Sequence, residues 1–252
     1  MVQYAVLLVA VLLLIVLADW PQIVAVFLRP DQIRTTLVSG LGNAILNTIL
    51  YTAGAFVFGL VGGTVLALMR LSSVGVYRWM AGIYIEFFRG LPAIIVLLSF
   101  GLLPLAFPGL ILPFDPYGTV WTALGIVASA YMAETIRAGI QAVPKGQVEA
   151  ARSLGMTSSM ATRKIVLPQA FRIITPPLTN ELILLVKDSS LAYILGLSSS
   201  GNELTKYGRD LSATNANLTP LVIAGLCYLL ITLPLTMLVR RMETGVRKGQ
   251  QR

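Results

Sequence analysis

A chain of 252 residues that is 56% hydrophobic and only 12% charged, with a mean hydropathy of +0.79, carries too much apolar surface for a soluble or disordered protein and is read as an integral membrane protein. One cysteine, Cys227, and no histidine exclude an internal disulfide, a thiolate metal site, a histidine triad and a histidine proton relay. The formal charge is +8, and the placement of the basic residues decides what that means.

Charge-poor stretches run over 4–28, 43–69, 79–103, 117–136, 170–197 and 218–239. Each holds roughly 20 residues or more, enough for a helix to cross a hydrocarbon core of about 30 Å. The first begins Met-Val-Gln-Tyr with no basic residue, so it is read as an uncleaved span to about Leu28 and not as a signal peptide; Asp19 and Pro21 interrupt it. Thr35 to Met69 is free of charge and exceeds one perpendicular crossing, so its start, to about Leu41, is expected to be an interfacial entry turn. Gly54, Gly59, Gly62 and Gly63 in span 43–69 predict close helix packing within the chain. The connection 104–118, with Pro104, Pro108, Pro113 and Pro116, predicts irregular external structure.

Arg70 and Arg78 lie in one connection, Arg137, Lys145, Arg152, Arg163, Lys164 and Arg172 in or beside a second, and Arg240, Arg241, Arg247, Lys248 and Arg252 in the tail. The alternate connections hold only Arg29, Arg34, Lys206 and Arg209. This imbalance puts the first group on the cytoplasmic side. The positive charge is therefore a topology signal and no nucleic-acid partner is expected; the bilayer is the first partner.

Residues 137–169 form the one large inner connection. Pro144 and Gly146 break the preceding helix, Gln147 to Leu154 fits a short helix, and Gly155 stands where a helix stops. Thr157 is placed to cap a second short helix toward Leu167, and Pro168 to open the next span. Ala150, Ala151 and Gly155 are small, Leu154 and Met156 apolar, and Glu149 and Arg152 charged. Such a helix can seat in a groove of another protein; a plain solvated linker explains the same residues equally well.

Glu149-Ala150-Ala151-Arg152-Ser153-Leu154-Gly155 followed by Ile165-Val166-Leu167-Pro168-Gln169-Ala170 resembles the EAA loop of bacterial ABC importer permeases, in detail the polar amino acid group that includes histidine, glutamine and glutamate permeases. Tyr84 to Pro92, Ala138 to Gln147 and Lys187 to Leu191 match the same group, with Leu91 where the family often has Thr. The resemblance implies an all-α, polytopic type I permease bundle, with a five-helix core and an extra N-terminal span. It divides the chain into an N-terminal segment and linker (1–36), a permease domain (37–242, coupling loop about 144–168) and a basic cytoplasmic tail (243–252). It implies that Glu149, Ala150, Ala151, Leu154 and Gly155 dock an ATP-binding cassette ATPase subunit, on which ATP and Mg are bound. It further implies a second permease, identical or a sister chain, an extracytoplasmic solute-binding protein, and a place in the bacterial inner membrane with loop and C-terminus cytoplasmic.

Charges inside apolar spans are costly, about 2.5–3.5 kcal/mol at the bilayer centre on insertion scales, and need a partner, a cavity or an interface. Glu86 and Arg89 stand at i, i+3 and can neutralise each other near a span end; Glu134 and Arg137 form a second such pair, read as structural. Asn180, Glu181, Lys187, Asp188 and Ser189 cluster in span 170–197. Lys187 and Asp188 supply both signs that a zwitterionic amino acid needs, and both can line one cavity only if the helix unwinds there. Glu86, Arg89, Asn180, Glu181, Lys187, Asp188 and Ser189 are thus the candidate substrate path; a helix end with subunit-bridging charges is the competing reading. Pro176 and Pro177 predict a kink.

No Gly-x-x-x-x-Gly-Lys-[Ser/Thr] occurs in the sequence, so a nucleotide site is expected on another polypeptide and the chain is not itself expected to be an enzyme. Two alternatives remain: an ion-coupled secondary transporter using Glu181, Lys187 and Asp188, and a membrane anchor for a cytoplasmic enzyme. Arg89 and Lys187 favour an acidic substrate, and Glu86, Glu181 and Asp188 a basic one; the leaning is to glutamate or glutamine.

Overall fold

The structure is a computed structural model that describes residues 2–197 and 199–250; Met1, Ser198, Gln251 and Arg252, the last closing the expected basic tail, lie outside the described residues. Among the described residues the chain is helices and turns with no strand. In order these are α1 (Val2–Leu17), α2 (Trp20–Phe27), α3 (Pro30–Val38), α4 (Leu41–Leu71), α5 (Gly75–Gly90), α6 (Ala93–Gly101), α7 (Leu103–Ala106), α8 (Tyr117–Gln141), α9 (Lys145–Ser153), α10 (Ser158–Ala161), α11 (Leu167–Asp188), α12 (Leu204–Asn215) and α13 (Thr219–Gln250).

Helix α4, and α13 over Thr219–Thr244, are each long and apolar enough to cross a membrane. Helices α8 and α11, at 25 and 22 residues, are also long enough to cross but less apolar. The reason is position: α8 is surrounded by α4, α5, α6 and α11, and Ala123, Leu124, Ala128, Met132 and Ala133 on it are buried. A helix enclosed by protein has no need of a lipid-compatible surface all round, and small residues serve it better.

The main seam joins α4 to α8, which run parallel. A Cβ on Gly59 would stand 2.9 Å from Ala128 Cβ, and one on Gly63 2.8 Å from Met132 Cβ. Gly54 sits against the Trp121 ring, whose Nε1 donates to Leu50 O at 2.9 Å. The expectation that these glycines serve packing within the chain holds.

At one end of the bundle α2, α3 and α12 form a cap. Asn217 Nδ2 donates to Ala25 O (2.7 Å), Leu218 N to Val26 O (3.0 Å), and Tyr207 Oη to Thr36 O (2.6 Å). Between α3 and α4 the chain turns at Gly40, φ +113°, as the entry-turn reading requires.

Several span boundaries differ from those read in the sequence. The stretch 4–28 is not one straight crossing: α1 ends at Leu17, Asp19 Oδ1 accepts from Gln22 N at 3.1 Å to start α2, and the chain bends by 76°. The stretch 79–103 is broken, with α5 and α6 meeting at 98°. Pro92 has no amide to donate and holds Leu91 extended, φ −94° and ψ 137°. In 170–197 the α-helix stops at Asp188 and a 3₁₀ segment, Ser189–Leu195, follows. The second short helix of the hairpin is not separate either: Thr157 Oγ1 caps α10 by accepting from Met160 N, but α10 passes through a π turn, Thr162–Val166, directly into α11. Pro176 and Pro177 lie inside α11, which stays a single helix across them.

Candidate functional site

The break between α5 and α6 opens a cavity of about 300 Å³ against α8 and α11, with Leu91, Pro92, Ala93, Leu124 and Tyr131 among its walls. Glu181 and Asp188 are the charged residues that line it. They stand seven apart on α11, two turns, so both carboxylates share one face about 10 Å apart along the axis. Outside the cavity wall, the exposed Arg89 guanidinium lies over the Tyr131 ring, 5.4 Å from its centroid, and the Tyr131 hydroxyl donates to Arg89 O at 3.3 Å. Arg89 forms no ion pair with Glu181 or Asp188. Ala93 opens α6 with no side chain capping the helix, so the positive end of its dipole faces the same space.

Of the substrate-path residues read from sequence, Glu181 and Asp188 line the cavity, and Arg89, exposed, touches one of its wall residues, Tyr131. It does not bring in the others. Glu86 is exposed and forms no ion pair with Arg89. Asn180 and Lys187 are exposed and do not line the cavity; they form a stripe on α11 whose middle residue, Leu184, borders it. Ser189 is buried and donates to Val186 O at 2.7 Å. Lys187 and Asp188 diverge because α11 keeps its regular twist to Asp188 and unwinds only after it.

At the other end of the bundle, Arg137 Nη2 meets Glu134 Oε2 at 2.6 Å, and Arg70 Nε lies 3.8 Å from Glu134 Oε1, tying α4 to α8. Arg137 Nη1 reaches Gln141 Oε1 at 2.8 Å, one residue before the turn into the hairpin. There α9 ends in a Schellman motif: Met156 N donates to Ala151 O (3.1 Å), Gly155 N to Arg152 O (3.0 Å), and Gly155 takes φ +85°. Ala151 alone of the loop candidates packs inward; Glu149, Ala150 and Gly155 are exposed, and Leu154 is 83% exposed. A second cavity, about 540 Å³, lies between α9 and the end of α8, lined by Gln141, Lys145, Val148 and Glu149.

Sequence reading missed Tyr131 and Glu203. The Glu203 carboxylate is fully buried, accepts from Thr205 N and Lys206 N at the start of α12, and takes the Tyr228 hydroxyl of α13 at 2.9 Å. Its position just before a Leu-Thr-Lys helix start is a cap signal, while Tyr228 lies too far along the chain to be paired with it by inspection.

Residues 59–248 match the model of the binding-protein-dependent transport system inner membrane component family. The chain belongs to that family. As an inner membrane component, it is 37% identical to an arginine transport system permease protein of Corynebacterium glutamicum, over 84% of this chain and 70% of that protein. It is 36% identical to a glutamate/aspartate import permease protein of Escherichia coli, over 78% of this chain and 89% of that one. An amino acid ABC transporter solved with histidines superposes with a TM-score of 0.71 at 35% identity, covering 86% of this inner membrane component and 97% of that chain.

Proposed function

We propose that this chain is the permease subunit of an ATP-driven importer of a polar or charged amino acid, forming the translocation path between α5–α6, α8 and α11. The observation that carries the reading is the hairpin. Helix α9 projects Glu149, Ala150 and Leu154 outward and is stopped by a left-handed glycine, a small rigid tooth suited to a groove in a partner. The partner is an ATP-binding cassette subunit, which supplies ATP and Mg, and the excess of Lys and Arg beside the hairpin and in the tail supports a cytoplasmic position for both. Closure of two ATPases on ATP moves the hairpins, and the cavity changes the side it opens to.

The exposed Asn180–Lys187 stripe and Glu86 are poor company for lipid. They support a second permease, whose matching face covers them, and the cap of α2, α3 and α12 at the outer end offers the surface for a solute-binding protein. The test is reconstitution. Proteoliposomes holding this chain with its ATPase should take up an amino acid only with ATP, and Glu149→Arg should abolish co-purification of the ATPase or uncouple hydrolysis from uptake. ATP-independent uptake by the chain alone, driven by an ion gradient, would replace this reading with a secondary transporter.

A further inference from the structure

We propose that the connection from α6 to α8, residues 102–114, is a lipid anchor. It lies among the headgroups of the bilayer, at the end of the bundle away from the hairpin, with its apolar side chains set into the acyl boundary. The partner it fits is the lipid surface of that leaflet and not a protein. The inference requires only that helices such as α4 and α13 cross a bilayer; it does not depend on the importer reading.

The side chains of this connection are unlike those of a loop made for water. From Phe100 to Phe114 no side chain is polar. The fold does not bury them: Leu105 is 79% exposed, Ile111 72% and Phe114 78%, and Phe107 and Leu110 are exposed as well. Apolar residues gathered on a surface in this way mark a contact with a partner or a membrane. The cap at the same end of the bundle is different in kind. It carries Asp31 and Arg34 on α3 and Lys206, Arg209 and Asp210 on α12, a surface suited to water and to protein contacts.

The backbone separates lipid from protein as the occupant. Lipid tails supply no hydrogen-bond partner, so a segment that meets them must satisfy its own amides. Pro104, Pro108 and Pro113 have no amide hydrogen. Leu105 N donates to Leu102 O (3.0 Å), Phe107 N to Leu103 O (2.9 Å), Leu110 N to Phe107 O (3.0 Å) and Ile111 N to Gly109 O (3.1 Å). Seven of the eleven residues 104–114 thus offer no donor to a partner. A loop built to grip a protein keeps polar groups for its rim, and this one has neither the side chains nor the amides. Irregular backbone does not enter the hydrocarbon exposed, which sets the depth of the loop at the headgroups.

The anchor also continues a surface that faces lipid already. The Phe114 ring packs on Trp121, centroids 6.3 Å apart, and Trp121 on Tyr117 at 5.9 Å. Trp121 Nε1 donates to Leu50 O, next to the exposed Leu46, Ile49 and Leu50 of α4. Trp and Tyr grouped at one level are the mark of the membrane–water boundary. Set there, the anchor holds the far end of α6, whose near end is the Leu91–Pro92 corner, so that the corner moves against a point fixed in the bilayer.

The test is quenching by depth. In a Cys227→Ala background, Phe107→Cys and Ile111→Cys are each labelled with the fluorophore NBD in the full-length chain, purified with its accompanying subunits and placed in nanodiscs. Ala213→Cys, exposed on α12, is the water-facing reference. Both loop labels should be quenched about twofold or more as strongly by a phospholipid bearing a nitroxide near its headgroup as by aqueous iodide, as for a segment lying in the interface, and the Ala213 label should show the reverse. Thermal unfolding at the temperature of the unlabelled chain confirms that each labelled variant is folded. Iodide quenching at Phe107 and Ile111 as strong as at Ala213 would put the loop in water. Protection of both labels from both quenchers would put a protein over it. Either result overturns the proposal and leaves the importer reading intact.

Discussion

Arg89 and Tyr131 hold each other twice, once by the guanidinium over the ring at 5.4 Å and once by the hydroxyl on the Arg89 carbonyl at 3.3 Å. The pair joins the last turn of α5 to the middle of α8 one residue short of the glycine that precedes the helix break. Arg89 is itself exposed, and the ring under the guanidinium limits where its charge can go. Arg89→Lys retains the charge but loses the planar stacking face. It is expected to raise the KM for ATP-driven uptake several-fold, in line with a cation–π contribution of about 0.5–2 kcal/mol, with kcat changed less. Tyr131→Phe, which keeps the ring, should be milder than Tyr131→Leu in the same uptake assay.

Gly155 is the second position where one atom decides the outcome. It sits at φ +85° in a Schellman stop with open space around it. Gly155→Ala meets no steric neighbour, so its cost is conformational, about 1–2 kcal/mol. The expected result is an assembled complex with more ATP hydrolysed per amino acid imported. Gly146→Ala, also in open space but without a positive φ, should leave the ratio unchanged. Measuring both ratios separates backbone geometry from mere change of sequence in the hairpin.

The α4–α8 seam gives a stability prediction. A methyl at Gly63 meets Met132 Cβ at 2.8 Å, Ser129 O at 3.0 Å and Ala133 N at 3.1 Å, and backbone cannot step aside cheaply. Gly63→Ala should destabilise by about 1–3 kcal/mol through overpacking. Gly42→Ala, on the same helix with nothing within 4 Å, should be neutral or slightly stabilising. Thermal unfolding of the detergent-solubilised chain, read side by side, checks the contrast.

Glu203 carries a prediction for the capped end. Glu203→Ala strips a buried acceptor from Thr205 N, Lys206 N and the Tyr228 hydroxyl; each donor left unsatisfied costs about 1–3 kcal/mol. Tyr228→Phe removes the bond to Glu203 and the one the hydroxyl accepts from Thr205 Oγ1 at 3.2 Å, but leaves the Glu203 carboxylate on its two backbone donors, and should cost less. Thermal unfolding of both singles and the double should show strong non-additivity, since once Glu203 is gone the hydroxyl has lost its acceptor.

What the sequence disclosed follows the range of each signal. The hairpin was readable because its stop and cap are local: Gly155 and Thr157 act on neighbours within a few residues. The glycines of α4 were readable because small residues in an apolar helix have few other uses. The break at Leu91–Pro92 was harder to see, since hydropathy averages across a proline and 79–103 passes as one apolar stretch. The side that Lys187 faces was not readable at all. Adjacency to Asp188 fixes the angle between them, not which of the two looks inward, and that is set by how α11 packs on α8 and α13. The continuity of α10 into α11 was hidden for a related reason: a π turn keeps the helix going through residues that otherwise read as a cap and a fresh start.

The interlocked seam between α4 and α8 has a mechanical corollary. With Gly59 and Gly63 receiving Ala128 and Met132 at contact distance, neither helix can slip along the other without collision, so the two form a single splint. Any swing that turns the cavity from one face of the bilayer to the other must then be taken up at joints beside the splint. The 98° corner at Leu91–Pro92, which forms a wall of that cavity, is the joint best placed to bend.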